Sequence, residues 1–224
     1  MTPPVVAIDG PAGVGKSTVT RKLAERLGLP YLDTGAMYRA VALAASRRGV
    51  DAEDETAVDE LAAGTDLALE LGADGHAAIL LDGVSVAPHI RSQEIGELAS
   101  RLAACSPVRR RLVGLQREFG RAHGAVLEGR DIGSVVFPET PWKFFLDARP
   151  EVRVQRRLEQ LRRQGRPADR RQVAREVAAR DARDSQRADS PLRRDAGSVV
   201  VDTSELSPQE VVERLVELID DPGS

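Results

Sequence analysis

The 224-residue chain contains no asparagine. The Asn-Lys-x-Asp motif with which a guanine-nucleotide switch reads its base is therefore excluded, as is the asparagine of a protein-kinase catalytic loop. Cysteine occurs once, at Cys105, so no intrachain disulfide can form. Its small-residue helical setting marks it as a packing residue rather than a nucleophile. Lysine occurs only at Lys16, Lys22 and Lys143, and the remaining basic residues are arginine. Any anion clamp must therefore be built largely from Arg. His76, His89 and His123 lack ligand spacing, which argues against a zinc site. No apolar run approaches membrane-spanning length, and the chain enters an apolar strand by Val5, so neither a membrane anchor nor a signal peptide is expected. A formal net charge of −3 gives no global attraction to nucleic acid or to an anionic membrane. A cytoplasmic protein is the expectation.

Length and composition are sufficient for a globular core. Folding a chain of this size removes roughly 70% of its unfolded surface from water. The organising stretch is Val5-Val6-Ala7-Ile8-Asp9 followed by Gly10-Pro11-Ala12-Gly13-Val14-Gly15-Lys16-Ser17-Thr18. The apolar run reads as a buried parallel strand, and the next segment fits G-x-x-x-x-G-K-[ST] at every fixed position. Leu23, Ala24 and Leu27 then recur at helical spacing, with Gly28 placed as a C-terminal cap. Glycines at 10, 13 and 15 allow backbone N–H groups to approach phosphate oxygens, and the opening helix adds its dipole. Lys16 is placed to reach the β- and γ-phosphates, and the Ser17 hydroxyl to ligate Mg²⁺.

Along the chain, Pro30 to Asp33 reads as a second strand and Thr34 to Gly49 as a helix, with a short acidic helix near Asp54 to Ala63. Alternation over Asp66–Leu71, Ala77–Leu81 and Val84–Val86, separated by Gly-rich turns, predicts an inserted antiparallel meander. Helical patterning runs from Gln93 to Ala104 and resumes at Ser106-Pro107, read as N-cap and first turn. Ala125–Leu127, Trp142–Leu146 and Ser198–Asp202 complete five buried strands, and helices follow at Pro150–Arg163, Arg170–Arg187 and from Ser207, which opens a capping box with Glu210. The pattern predicts an α/β fold with a five-stranded parallel sheet, whose ligands sit at the carboxyl ends of the strands. Polar groups stand at four of those ends: the loop from Gly10, Asp33-Thr34, Arg130-Asp131 and Asp202-Thr203.

Arg130-Asp131 would face the phosphate loop across the strand ends, the alternative being a local turn salt bridge. Arg180, Asp184 and Arg187 share one helix face, although spacing alone favours a solvated ion-pair ladder. Arg153, Arg156 and Arg157 lie on the other arm of a helix–loop–helix around Gly165 and Pro167, which has the form of a lid; a flexible connector is the alternative. Asp33 suits either a metal-bound water or a helix cap, and the residues leave both open.

Leu32-Asp33-Thr34-Gly35-Ala36-Met37-Tyr38-Arg39, Glu128-Gly129-Arg130-Asp131-Ile132-Gly133-Ser134-Val135-Val136-Phe137-Pro138 and Arg180-Asp181-Ala182-Arg183-Asp184 resemble the cytidylate kinase family of bacterial type. The resemblance covers nearly the whole chain. It implies transfer of the γ-phosphoryl group of ATP to CMP or dCMP with Mg²⁺, by a monomer built as a P-loop kinase core. That core would comprise residues 1–58 and 105–224, with a nucleoside-monophosphate lobe at 59–104 and a lid near 150–187. The same resemblance implies that Gly10, Pro11, Ala12, Gly13, Val14, Gly15, Lys16, Ser17 and Thr18 bind ATP, and that Thr34, Arg39 and Arg130 hold the acceptor phosphate. Ser100, Arg109, Asp131 and Arg187 would surround the base, with Arg180 and Asp184 near the ribose. Lys16, Arg130, Arg180 and the lid residues Arg153 and Arg157 would stabilise the transferring group.

Overall fold

The computed structural model of the chain describes residues 3–166, 168–187 and 189–221. In chain order the elements begin with β1 (Val5–Asp9), α1 (Lys16–Leu27), β2 (Tyr31–Asp33), α2 (Thr34–Arg48) and α3 (Glu55–Gly64). Next come β3 (Leu67–Leu71), β4 (Ala77–Leu81), β5 (Val84–Ser85), α4 (Gln93–Leu102), α5 (Ser106–His123) and β6 (Ala125–Glu128). A five-residue π-helix, Ile132–Val136, precedes β7 (Trp142–Asp147), α6 (Pro150–Arg163), α7 (Arg170–Gln186), β8 (Val199–Asp202) and α8 (Pro208–Asp220). Five strands form one parallel sheet in the order β2-β6-β1-β7-β8.

The period of two in β1 explains why its apolar run is continuous. Val5 and Ala7 enter one core cluster, Val6 and Ile8 the other, so both faces of the strand are covered. The first cluster is filled from α2, α4 and α5, and the second from α1 and α8. Helix α8 begins with the expected capping box: the Ser207 hydroxyl accepts from the Glu210 amide, and Glu210 accepts from the Ser207 amide. Strand β8 departs from expectation. It is the sheet edge, so Val199 and Val200 stay 43% and 44% exposed although their apolar run reads as buried.

The inserted meander forms as a separate antiparallel sheet, β3-β4-β5, with Leu67 opposite Leu81. Asp82 and Gly83 both take positive φ (52° and 74°), as a two-residue hairpin turn between twisted strands demands. Leu67, Ile79 and Leu81 join the same cluster as Met37 and Val41 of α2, which fixes the insert against the core. Helix α3 starts at Glu55, so it crosses the boundary expected at residue 59. A second departure concerns α5, whose N-cap is Cys105 rather than Ser106. The Arg109 amide donates to the Cys105 carbonyl, and the Ser106 hydroxyl is taken by the Asp189 carboxylate. Helices α6 and α7 pack on each other through their own small cluster of Val154, Leu158, Leu161, Val173 and Val177. Gly165 lies in the turn between them with φ 68°; Pro167, the other half of the expected hinge, lies outside the described residues.

Candidate active site

The loop from Gly10 to Gly15 leaves β1 at its carboxyl end and opens directly into α1. Gly10 has φ 148°, and a Cβ there would stand 2.1 Å from the Leu146 carbonyl oxygen, so only glycine allows this exit from the sheet. Gly15 is the left-handed N-cap of α1 and offers no capping side chain, which leaves the first-turn amides for an anion. Lys16 is buried and its Nζ donates to the carbonyls of Gly10 (2.7 Å) and Pro11 (2.8 Å). Burial holds this ammonium well below its ordinary range; Arg130 and Arg180 add to the effect and Glu128 opposes it.

The loop is braced from outside by two residues expected to belong to a closing lid. Arg153 donates to the carbonyls of Ala148 (3.2 Å) and Ala12 (3.3 Å) and pairs with Asp181. Arg156 donates to the Val14 carbonyl (3.1 Å) and to Thr203. Thr203 is itself 1% exposed and donates into the same corner, so the fifth strand end serves as a brace. Arg157, the third of the α6 trio, makes no hydrogen bond to the loop among the described residues: it donates to Gln160 at 2.9 Å, and burial lowers its pKa, with Arg166 and Arg39 adding to the effect and Glu176 opposing it.

A second layer lies under Ser17. Its hydroxyl donates to Glu128 Oε2 at 3.0 Å, and the Tyr31 hydroxyl donates to Glu128 Oε1. Burial and the adjacent Asp33 push the Glu128 carboxyl up to about 7, against Lys16 and these two hydrogen bonds. Glu128 stands in the motif that carries the resemblance, yet nothing in its spacing marks a role; pairing in register with Asp33 across β2 and β6 brings the two acids together. Asp33 caps α2 by accepting from the Ala36 amide at 3.0 Å. Thr34 donates its only hydroxyl hydrogen to the Glu128 carbonyl (2.7 Å), so it faces a ligand as an acceptor.

Around this floor stand Arg39, Arg130, Arg157 and Arg180. Arg39 has no hydrogen-bond or ion-pair partner among the described residues. Arg130 Nε donates to Asp184 at 2.8 Å. Burial would raise the Asp184 carboxyl, but Arg130, with Arg180 and Arg187, holds it below the usual range. Arg180 falls to about 10, chiefly through burial and then through Arg130, Arg39 and Arg157, and its Nε has no partner among the described residues. Like charges gathered this closely, with Asp184 paired to one of them and Glu128 beneath, describe a hole shaped for a polyanion.

Beside the cations lies a more enclosed corner. Arg109 and Asp131 form a buried ion pair, with the Tyr38 hydroxyl 3.3 Å from Arg109. Burial, with the Asp131 charge, pushes the Tyr38 hydroxyl up to about 12 against Arg109 and Arg187. Arg187, whose electrostatic neighbours include Arg109 and Asp131, has a buried Nε with no partner among the described residues, and Ser100 Oγ on α4 is likewise buried and without a partner among them. Tyr38 was not singled out from the sequence, although its place one helical turn after Thr34 puts it on the same face. Four sequence segments thus meet in space: the phosphate loop, the α2 face, the β6 terminus and the arginine face of α7.

A parallel sheet with a glycine-rich phosphate loop at its carboxyl edge, an inserted lobe and a two-helix arm defines a P-loop kinase core. A family model described as Cytidylate kinase matches residues 6–221. The cytidylate kinase of Methylococcus capsulatus is 48% identical over 212 residues, covering 95% of each chain. That of Pelotomaculum thermopropionicum is 46% identical over 213 residues, covering 95% of this chain and 94% of the other. A crystal structure of an uncharacterized protein from Eubacterium ventriosum shares the fold at 15% identity, with a TM-score of 0.51 over 97% of this chain and 98% of that one. The chain belongs to the cytidylate kinase family.

Proposed function

We infer that the protein transfers the γ-phosphoryl group of ATP to CMP or dCMP, giving ADP and CDP or dCDP. The observation that carries this reading is the cation cluster of Lys16, Arg39, Arg130, Arg157 and Arg180, which adjoins the phosphate loop on one side and the Arg109–Asp131 corner on the other. Residues Gly10 to Thr18 bind the triphosphate. Arg39 and Arg130 hold the acceptor phosphate near Thr34. Asp184 and Arg180 meet the ribose, and Ser100, Arg109, Asp131 and Arg187 enclose the base. The unpartnered Ser100 hydroxyl and Arg187 Nε support that last assignment, because buried polar atoms of this kind are ordinarily bonded.

The Ser17 hydroxyl, with Glu128 and Asp33 behind it, fits Mg²⁺: a hydroxyl and carboxylates rather than a cage. The described residues include no cluster of three or more His, Cys, Asp or Glu, which suits an ion that keeps its waters and takes ligands from phosphates. When bound, Mg²⁺ supplies charge neutralisation at the β- and γ-phosphates.

Phosphoryl transfer passes through a loose transition state, so the protein contributes alignment and fixed positive charge. Lys16, Arg130 and Arg180 lie where charge spreads onto the transferring oxygens, and Arg157 approaches from α6. The Arg153 brace keeps the loop rigid, and its partner Asp181 ties α7 to the same point. The acceptor oxygen of a nucleoside monophosphate is already ionised at neutral pH, so no general base is required. The inserted lobe at 59–104 closes the acceptor side and α6–α7 the donor side. The enzyme works as a cytoplasmic monomer, with no nucleic-acid or membrane partner. No described helix is long and apolar enough to cross a membrane.

Coupled measurement of ADP release with CMP, dCMP, UMP, AMP and shikimate as acceptors tests the reading. Turnover with CMP and dCMP well above the others supports it. Equal rates without any acceptor would identify a nucleotide hydrolase or sensor instead.

A further inference from the structure

The turn that carries Asp131 is capped from outside itself. Asp131 is the N-cap residue of the π-helix Ile132–Val136, yet its side chain makes no capping hydrogen bond. An aspartate at this position ordinarily folds its carboxylate back onto the amide two or three residues ahead. Asp33, Asp54 and Asp169 do so in this chain, accepting from Ala36, Ala57 and Gln172. At Asp131 the same arrangement would consume the carboxylate that pairs with Arg109. The first two amides of the turn are bonded elsewhere: Ile132 N–H donates to Asp9 Oδ1 at 2.9 Å and Gly133 N–H to Asp9 Oδ2 at 2.8 Å. Asp9 is 5% exposed, and it ends the strand from which the phosphate loop departs.

We propose that Asp9 is a positioning residue for base selection: it caps the turn in place of Asp131 and so frees the Asp131 carboxylate, with Arg109, to meet the acceptor base. The inference rests on the reading of Asp131 as a base contact. A carboxylate held there accepts from the exocyclic amine of cytosine, whereas the oxygen of uracil at that position leaves two acceptors facing each other. If the cap is lost, the Gly133 amide, two residues ahead of Asp131, is freed within its own turn and draws the Asp131 carboxylate from the base. Because Asp9 lies next to Gly10, one strand end holds both the donor loop and the acceptor-reading turn in register.

The test is a cycle of wild type, Asp9→Asn, Asp131→Asn and the double variant, each measured for kcat/KM with CMP and with UMP and for the KM of ATP. Asn at position 9 keeps the shape but offers one acceptor to two amides. We expect the CMP:UMP ratio of kcat/KM to fall roughly tenfold or more in Asp9→Asn, through KM for CMP, with KM for ATP changed less than about threefold. In the Asp131→Asn background the same change should move the ratio by less than about twofold, because Asp9 acts through Asp131. A uniform loss with both nucleotides and with ATP would overturn the proposal and leave Asp9 as a plain structural residue. Wild type without any preference for CMP would instead refute the base-reading of Asp131 itself. Wild-type preference that survives Asp9→Asn would refute only the role of Asp9. Should the variants not fold, hydrogen exchange of the wild type without nucleotide decides: the Ile132 and Gly133 amides are expected to exchange as slowly as those of β6. Exchange at the rate of an open loop would overturn the cap.

Discussion

Arg109 and Asp131 can be removed singly or together, and the two perturbations separate stability from function. Their side chains are 5% and 8% exposed, so neither charge is solvated once the other is gone. In Asp131→Leu the guanidinium keeps the Tyr38 hydroxyl and the Ala103 carbonyl, at 3.3 and 3.4 Å, but has the like charge of Arg187 beside it and loses its carboxylate partner. Stranding one member of a buried pair costs about 3–5 kcal/mol. At roughly 2–4 °C per kcal/mol for a chain of this size, Tm should fall on the order of 10 °C. Arg109→Met combined with Asp131→Leu removes both charges and fills similar volume, so most of that loss should be recovered. Activity should not return with it, because the double variant lacks both groups proposed to read the base. Its kcat/KM for CMP should stay roughly 10³-fold or more below wild type. Thermal denaturation and steady-state kinetics on the four proteins provide the assay. A double variant that is stable and also fully active would refute the site assignment. One that is no more stable than Asp131→Leu would refute the reading of the pair as a desolvated structural charge pair.

Lys16→Ala should lower kcat by roughly 10²-fold or more while circular dichroism stays native, since the ammonium acts on the transferring group; near wild-type kcat would remove Lys16 from the mechanism. Hydrogen exchange across Arg157–Arg171 should slow when both nucleotides are bound, as α6 and α7 close on the site, and unchanged exchange with binding confirmed would leave this segment a connector. Burial pushes the Asp9 carboxyl from its ordinary 3.8 up to about 6. The folded protein therefore holds that proton more tightly than the unfolded chain, and the stabilisation is present below about pH 4 and lost as pH rises through about 6. The stability of wild type relative to Asp9→Asn should accordingly decline by up to about 3 kcal/mol over that interval, read by urea denaturation at a series of pH values; a flat difference would contradict it.

The sheet was legible because each of its central strands is an apolar run bounded by turn chemistry, and the phosphate loop because its glycines and Lys16 stand in a fixed local order. Strand β8 shows the limit of that reading: an apolar run does not say whether the strand is central or at the edge, which depends on which neighbour β7 acquires. The capping of α5 by Cys105 was hidden for a related reason, since the Ser106 hydroxyl is claimed by Asp189, far along the chain. Arg153 and Arg156 look like lid cations on an isolated helix. Their partners are carbonyls of the phosphate loop, over 140 positions earlier, and no local pattern encodes such a pairing. Glu128, Tyr31, Tyr38 and Asp9 escaped notice because each acts through a cross-strand or cross-segment contact. On α7, spacing left a solvated ladder open, but Asp184 is buried and paired with Arg130 at the end of β6.

The central claim is that this site passes a phosphoryl group between two nucleotides, and transfer of label tests it most directly. With ATP labelled at the γ-phosphorus, Mg²⁺ and CMP, the account predicts that label appears in CDP in step with ADP formation, and that Lys16→Ala slows this transfer roughly 10²-fold or more. Label released only as inorganic phosphate, or retained in ATP while CMP is bound, would contradict it.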